Sequence, residues 1–274
     1  MSARRGTIAP RSLDASRIVR GVVLVALIAS SLGPLLLLGL WSLSGRWLYP
    51  AILPTEYSDE SWRALGGGAL WPALITSVAL AVAAGVVGCA VALPIGRALA
   101  RLRGWRRHAG AAAAFLPVAA PPLALGTGLQ VALLSAGLGG TAAGVLLAHL
   151  VPVVGYLSLF FLGTFTLFDA RVEAEARTLG ATPWQTWRHV LLPMLRGAAG
   201  ESMALGFLIS WSQFALTLVV GGGAVRALPL EVFALVRAGQ DRAAAVGALL
   251  LVVPPVLGLA ALRWAARRTS MMPA

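Results

Sequence analysis

Residues 169–193 read DARVEAEARTLGATPWQTWRHVLLP, a stretch with helical grammar of its own inside a chain that is otherwise overwhelmingly apolar. Its first half is rich in good helix formers and stops at Gly180, the residue that most readily takes the left-handed conformation closing a helix. A second helix then starts: Thr182 stands as N-cap, Pro183 fits the first helical position, and Gln185 occupies the reciprocal place of a capping box. Pro193 is the expected stop, because a residue before proline is pushed out of the helical region. Trp184, Trp187, Val190 and Leu191 fall at helical spacing and form an expected apolar face, with Arg177, Arg188 and His189 around it. Two short amphipathic helices joined by a glycine suit a docking element, or equally an interfacial helix resting on lipid headgroups.

The sequence on either side explains why such an element would stand out. Of 274 residues, 58% are hydrophobic and 12% charged, against about 25% charged in ordinary soluble domains. A bilayer core needs roughly 20 apolar residues per helical crossing, since backbone polar groups must pair internally there. Six stretches meet that need, near 21–42, 69–96, 111–136, 140–168, 198–221 and 243–264. Kinks are expected at Pro34, Pro94, Pro117, Pro121, Pro122 and Pro152.

The arginines orient these spans, because Lys and Arg accumulate in cytoplasmic loops. Arg4, Arg5, Arg11, Arg17 and Arg20 precede the first span; Arg97, Arg101, Arg103, Arg106 and Arg107 follow the second. Arg171, Arg177, Arg188 and Arg196 lie in or beside the quoted loop, and Arg263, Arg267 and Arg268 end the chain. Only Arg46, Arg63, Arg226, Arg237 and Arg242 fall on the opposite side. Both termini are therefore expected in the cytoplasm, and the net charge of +12 is accounted for by topology rather than by nucleic-acid binding. The first span also resembles a signal peptide, with Arg17 and Arg20 before an apolar run and small residues at Ala26–Ser31. Its continuation through Leu35–Leu40 and Trp41 favours an uncleaved anchor.

All 22 basic residues are arginine. Without lysine there is no Walker A loop and no Schiff-base chemistry, so the chain is not expected to hydrolyse ATP itself. The single cysteine, Cys89, excludes an internal disulfide and cysteine-rich metal clusters. His108, His149 and His189 are too scattered to suggest a metal site. Gly66–Gly68 and Gly221–Gly223 lack the Lys-Ser/Thr ending of a phosphate loop and read as loop ends.

The quoted loop resembles the cytoplasmic signature of permease subunits of binding-protein-dependent ABC importers: EAA, three residues, Gly, nine residues, Ile, one residue, Leu-Pro. With Gly180 as the glycine, Val190 takes the Ile position, followed by Leu191, Leu192 and Pro193, without a gap. The EAA triplet falls on Ala174, Glu175 and Ala176; its glutamate position is alanine, and Glu173 and Glu175 flank it. Further similarity to the polyamine, ferric-iron, thiamine and phosphonate importer group lies in Trp47-Leu-Tyr-Pro50, Leu53-Pro54, Leu93-Pro94-Ile-Gly-Arg97, Leu116-Pro117 before Pro121-Pro122, Leu228-Pro229-Leu230 and Pro254-Pro255.

The resemblance implies an all-α integral membrane protein of six transmembrane helices with the type I ABC importer permease fold. Residues 1–20 would be a cytoplasmic basic tail, 21–42 the first span, 43–68 an external loop, and 69–268 the permease core, with the coupling loop at 169–197. It also implies a multi-pass protein of the bacterial inner membrane whose coupling loop sits in a cleft of a separate ATPase subunit, which binds the ATP and Mg; this chain binds no cofactor. Glu173 or Glu175, Ala176, Arg177, Gly180, Pro183, Trp184, Val190, Leu192 and Pro193 would carry that contact. A second permease, identical or related, would complete the pathway, and an extracytoplasmic binding protein would deliver substrate to loops near 43–68 and 222–242.

Polar groups in mid-span are costly and hence informative. Ser210, Gln213 and Thr217 are spaced along one face of the fifth span, and Thr127 and Gln130 lie near one another on the third; they are candidate pathway residues, or packing contacts. His149 reads as a satisfied packing histidine, Glu201 as a partner of Arg196, and Cys89 as a small buried hydrophobe. An ion-gradient transporter would need carboxylates in mid-span, and an enzyme a clustered nucleophile and base; the spans contain neither.

Overall fold

The computed structural model describes residues 15–47, 50–169 and 171–270. Arg4, Arg5 and Arg11 of the basic tail, Leu48 and Tyr49 of the external loop, and the side chains of Arg263, Arg267 and Arg268 lie outside what is described. The elements in order are α1 (Ala15–Ser42), β1 (Ser44–Arg46), β2 (Glu56–Tyr57), α2 (Glu60–Arg63), α3 (Leu70–Arg101), α4 (Trp105–Ala119), α5 (Pro122–Ser135), α6 (Ala142–Leu167), α7 (Arg171–Thr178), α8 (Pro183–Gln185), a π-helical turn (Thr186–Leu191), α9 (Leu192–Trp211), α10 (Phe214–Gly221), α11 (Leu228–Arg237) and α12 (Asp241–Ser270). β1 and β2 form an antiparallel pair.

Among the described residues, four helices are long and apolar enough to cross a bilayer: α1, α3, α6 and α12. The expected third and fifth spans are instead bent pairs, α4 with α5 at 96° and α8–α9 with α10 at 60°. The first break follows from sequence: Ala120 and Pro121 are extended, with ψ of 137° and 128°, the conformation favoured for residues that precede proline. The second contains neither proline nor glycine. Gln213, at φ −82° and ψ 62°, is the centre of an inverse γ-turn in which Phe214 N–H donates to Ser212 O at 2.9 Å.

α3 is the central post, packed along α6 and α9. Its buried side is a seam of small residues, Ala73, Ala81, Ala84, Gly85, Gly88, Ala92 and Gly96, which lets backbones approach closely, as packing between helices in lipid requires. A Cβ on Gly85 would stand 2.5 Å from Met203 O, and one on Gly206 would stand 2.9 Å from Gly85 Cα. Behind the seam, Cys89, Leu93, Val153, Leu157 and Phe161 close one apolar cluster, and Leu80, Val145, Ala148, Leu216 and Val220 another. Cys89 is 3% exposed, the small buried hydrophobe expected.

In α12, Pro255 has no N–H to offer Leu251 O, four residues back. Trp211 Nε1 donates to that carbonyl at 3.1 Å, so a proline in one helix is compensated by an indole from another. At the far end of the bundle, Arg242 Nη1 donates to Gly45 O at 3.0 Å. The start of α12 therefore meets the end of α1, and the two helices pack against each other.

Candidate functional site

Two places concentrate polar chemistry: the loop 169–197 and the break between α9 and α10.

At the loop, the expected local structure is present. Gly180 has φ +88°, closing α7, and Thr182 forms a capping box, with Gln185 N donating to Thr182 Oγ1 at 3.3 Å and Thr182 N to Gln185 Oε1 at 2.8 Å. Pro193 departs from expectation: the helix runs through it. A proline ring collides with the carbonyl four residues back and supplies no N–H. The wide π turn at Thr186–Leu191 directly before it relaxes both constraints.

That turn also re-phases the side chains, so Trp184, Trp187, Val190 and Leu191 do not share one exposed face. Leu191 is fully buried and Trp187 packs against the α3–α6 core, while Leu179 and Trp184 stand 89% and 65% exposed at the tip. Glu175, Arg177, Gly180, Pro183, Leu192 and Pro193 are exposed too, and Ala176 and Val190 half-buried. Glu173 turns away from the rim. Its Oε2 accepts from Arg97 Nη2 at 2.7 Å and Arg101 Nη2 at 3.4 Å, so the ends of α3 and the loop lie on one side of the bundle. Of the two flanking glutamates, Glu175 is the one that faces outward.

At the second place, His149 on α6 is 3% exposed and bridges the break. Its Nδ1 lies 2.8 Å from Ser210 Oγ on α9 and its Nε2 2.9 Å from Thr217 Oγ1 on α10. Thr217 donates its hydroxyl hydrogen to Gln213 O at 2.6 Å, leaving Oγ1 to accept. The hydrogen-bond inventory then places the ring proton on Nε2, with Ser210 donating to Nδ1. Four polar groups are satisfied in one chain of bonds that ends on the carbonyl of the broken turn. A cavity of ≈ 10 Å³ beside it is lined by Ser77, His149, Ser210, Gln213 and Thr217 among others, about the room for one water.

The sequence reading thus found Ser210, Gln213 and Thr217 together, though on two helices rather than one face, and found His149 satisfied without joining it to them. Thr127 and Gln130 do not line this cavity; Thr127 is exposed and donates to Ala124 O at 2.9 Å. Glu201 and Arg196 are both exposed and form no ion pair with each other, because residues five apart point to different sides of a helix. Missed altogether was the pairing of Arg97 with Glu173, 76 positions apart, for which no local spacing gives a signal.

Residues 92–271 match the family model described as the binding-protein-dependent transport system inner membrane component. The chain belongs to this family. As a permease of the ABC importer type it is 31% identical over 247 residues to the molybdenum transport system permease protein ModB of Mycobacterium tuberculosis, covering 79% of this chain and 94% of that one. Its fold is similar to a chain of a bacterial ABC transporter that imports alginate, at a TM-score of 0.69 and 18% identity, covering 94% of this chain and 99% of the other. The alginate transporter in complex with an alginate-bound periplasmic protein gives 0.68 at 12% identity over the same shares. The permease is thus a multi-pass helical protein of the bacterial inner membrane.

Proposed function

We propose that the permease docks an ATPase subunit on the tip of loop 169–197 and converts that subunit's nucleotide-driven movement into rearrangement of the membrane helices. The observation that carries this reading is the contrast within the loop. Its base is anchored in the bundle through Leu191, Trp187 and Glu173, whereas its tip presents Leu179, Gly180, Pro183 and Trp184 to the surroundings. An exposed apolar pair on a capped, rigid turn, ringed by Glu175, Arg177 and Arg188, suits a protein cleft. ATP and Mg belong to the partner, since this chain has no lysine for a Walker A loop.

In this reading both termini lie in the cytoplasm, as the arginine distribution requires. Two permeases, identical or related, enclose one path, with the broken spans α4–α5 and α9–α10 beside it; interrupted helices are tolerated at membrane depth where they border a cavity. A binding protein docks on the opposite face, where a cleft of ≈ 580 Å³ is lined by Trp41, Arg46, Trp47, Glu60, Asp241 and Arg242 among others. The relatives' cargoes, molybdenum and alginate, are unlike each other, so neither is assigned to this chain.

The test is affinity purification of the tagged permease from its native membranes, read for a co-purifying ATPase subunit. Wild type retains that subunit and the Leu179→Ala/Trp184→Ala variant, whose changes touch no core residue, loses it. Equal retention by both would refute docking at the tip. An interfacial-helix role would instead show as loss of vesicle binding by the isolated loop peptide on Trp184→Ala with ATPase retention unchanged.

A further inference from the structure

We propose that Arg97 is the hub of a brace that fixes the coupling loop to α3, so that loop and central post move as one body. The proposal rests on the docking reading above and deepens it: Glu173 acts inside the permease as a positioning residue rather than reaching toward the ATPase.

Three segments meet at one guanidinium. Its edge donates to Glu173 Oε2 on α7 at 2.7 Å, and its face lies over the ring of Trp187 in the π turn, 5.0 Å from the centroid. Arg101, one turn further along α3, adds a second contact to the same oxygen at 3.4 Å. A planar guanidinium can pair at its edge and stack on its face at once; a lysine ammonium cannot. The side chains of Arg97 and Glu173 are only 19% and 15% exposed, unlike the surface pair Arg63–Asp59 at 79% and 54%, so salt and water screen the contact little.

The rest of the loop shows why such a tie matters. No residue of α7 is fully buried and the helix packs chiefly along the π turn; the partly buried Glu173 side chain ties it to α3. A buried ion pair is a poor way to gain stability alone, because apolar residues of similar volume usually serve as well. Here Arg97 Nε is moreover buried without a hydrogen-bond partner. A costly contact kept between a moving loop and the central helix fits transmission of force better than packing. α3 in turn carries the glycine seam against α6 and α9, so a push on the tip reaches both.

The experiment has two arms. In the isolated permease, in a Cys89→Ala background, nitroxides at Val91→Cys on α3 and Glu175→Cys on α7, both exposed, report their separation by pulsed electron resonance. Wild type gives one narrow distribution; Glu173→Gln and Arg97→Lys broaden it at least twofold. An unchanged distribution in Glu173→Gln overturns the brace whatever the ATPase does. In the complex with the ATPase subunit that co-purifies from native membranes and with the binding protein, Glu173→Gln still retains the ATPase and hydrolyses ATP at the unstimulated rate, but the stimulation given by loaded binding protein falls several-fold. Loss of the ATPase from Glu173→Gln would make Glu173 a direct contact and overturn the positioning role. Failure of wild type to hold any ATPase would refute the docking reading alone, since the distance arm needs no partner.

Discussion

Replacing His149 by leucine removes the bridge across the α9–α10 break while nearly preserving volume. Two side-chain hydrogen bonds disappear, to Ser210 and Thr217. Interhelical hydrogen bonds in membrane proteins average about 0.6 kcal/mol and reach about 1.7, so His149→Leu should cost roughly 1–2 kcal/mol. The loss is bounded because Thr217 keeps its bond to Gln213 O and Ser210 can turn to a carbonyl of its own helix. Thr217→Val alone breaks the bond to His149 and removes the hydroxyl's bond to Gln213 O, which still accepts from the residue 217 N–H at 3.3 Å, giving a loss of about 1 kcal/mol. In the His149→Leu background the same change should cost measurably less, a coupling of at least about 0.5 kcal/mol. Unfolding titrations in mixed micelles, followed by tryptophan fluorescence, supply the four free energies. Additive losses would refute the bridge, and a stabilised His149→Leu would refute the view that the cluster ties the broken span together.

Trp211→Phe keeps the ring stacked on Phe207, 5.7 Å away, but strands Leu251 O; it should lower stability by about 1–3 kcal/mol, whereas the same change paired with Pro255→Ala, which restores the helix N–H, should recover part of that loss. Gly85→Val places a branched Cβ against the Met203 carbonyl, where no side chain can yield, and should cut yield of monodisperse protein in size-exclusion chromatography, while Gly163→Ala, with open space around it, should not. Thr182→Ala removes the capping box and should cost about 1 kcal/mol in the same titration, with slower loss of protein if the loop is already held by a partner.

Much of the fold was legible because membrane crossing is read from length and composition, which do not depend on distant contacts. The break at Pro121–Pro122 was visible for the same local reason. Gln213 was not: an inverse γ-turn with no proline or glycine depends on Thr217 and His149 holding its carbonyl and flanks, a tertiary matter. In the loop, Gly180, Thr182 and Gln185 act on immediate neighbours and could be read directly. Pro193 misled because the π turn that absorbs it leaves no composition signature, and the same turn hid which way Trp187 and Leu191 point. Glu173 reads as a surface residue until Arg97 and Arg101, far earlier in the chain, are brought beside it.

Docking of a partner at the loop tip is tested most directly by a photoreactive amino acid at position 179, where Leu179 is 89% exposed, with Ile52, 90% exposed on the opposite face, as control. In illuminated native membranes position 179 should crosslink to an ATPase subunit and position 52 should not. Crosslinks from 179 to lipid alone, or equal capture of the ATPase from both positions, would contradict the account.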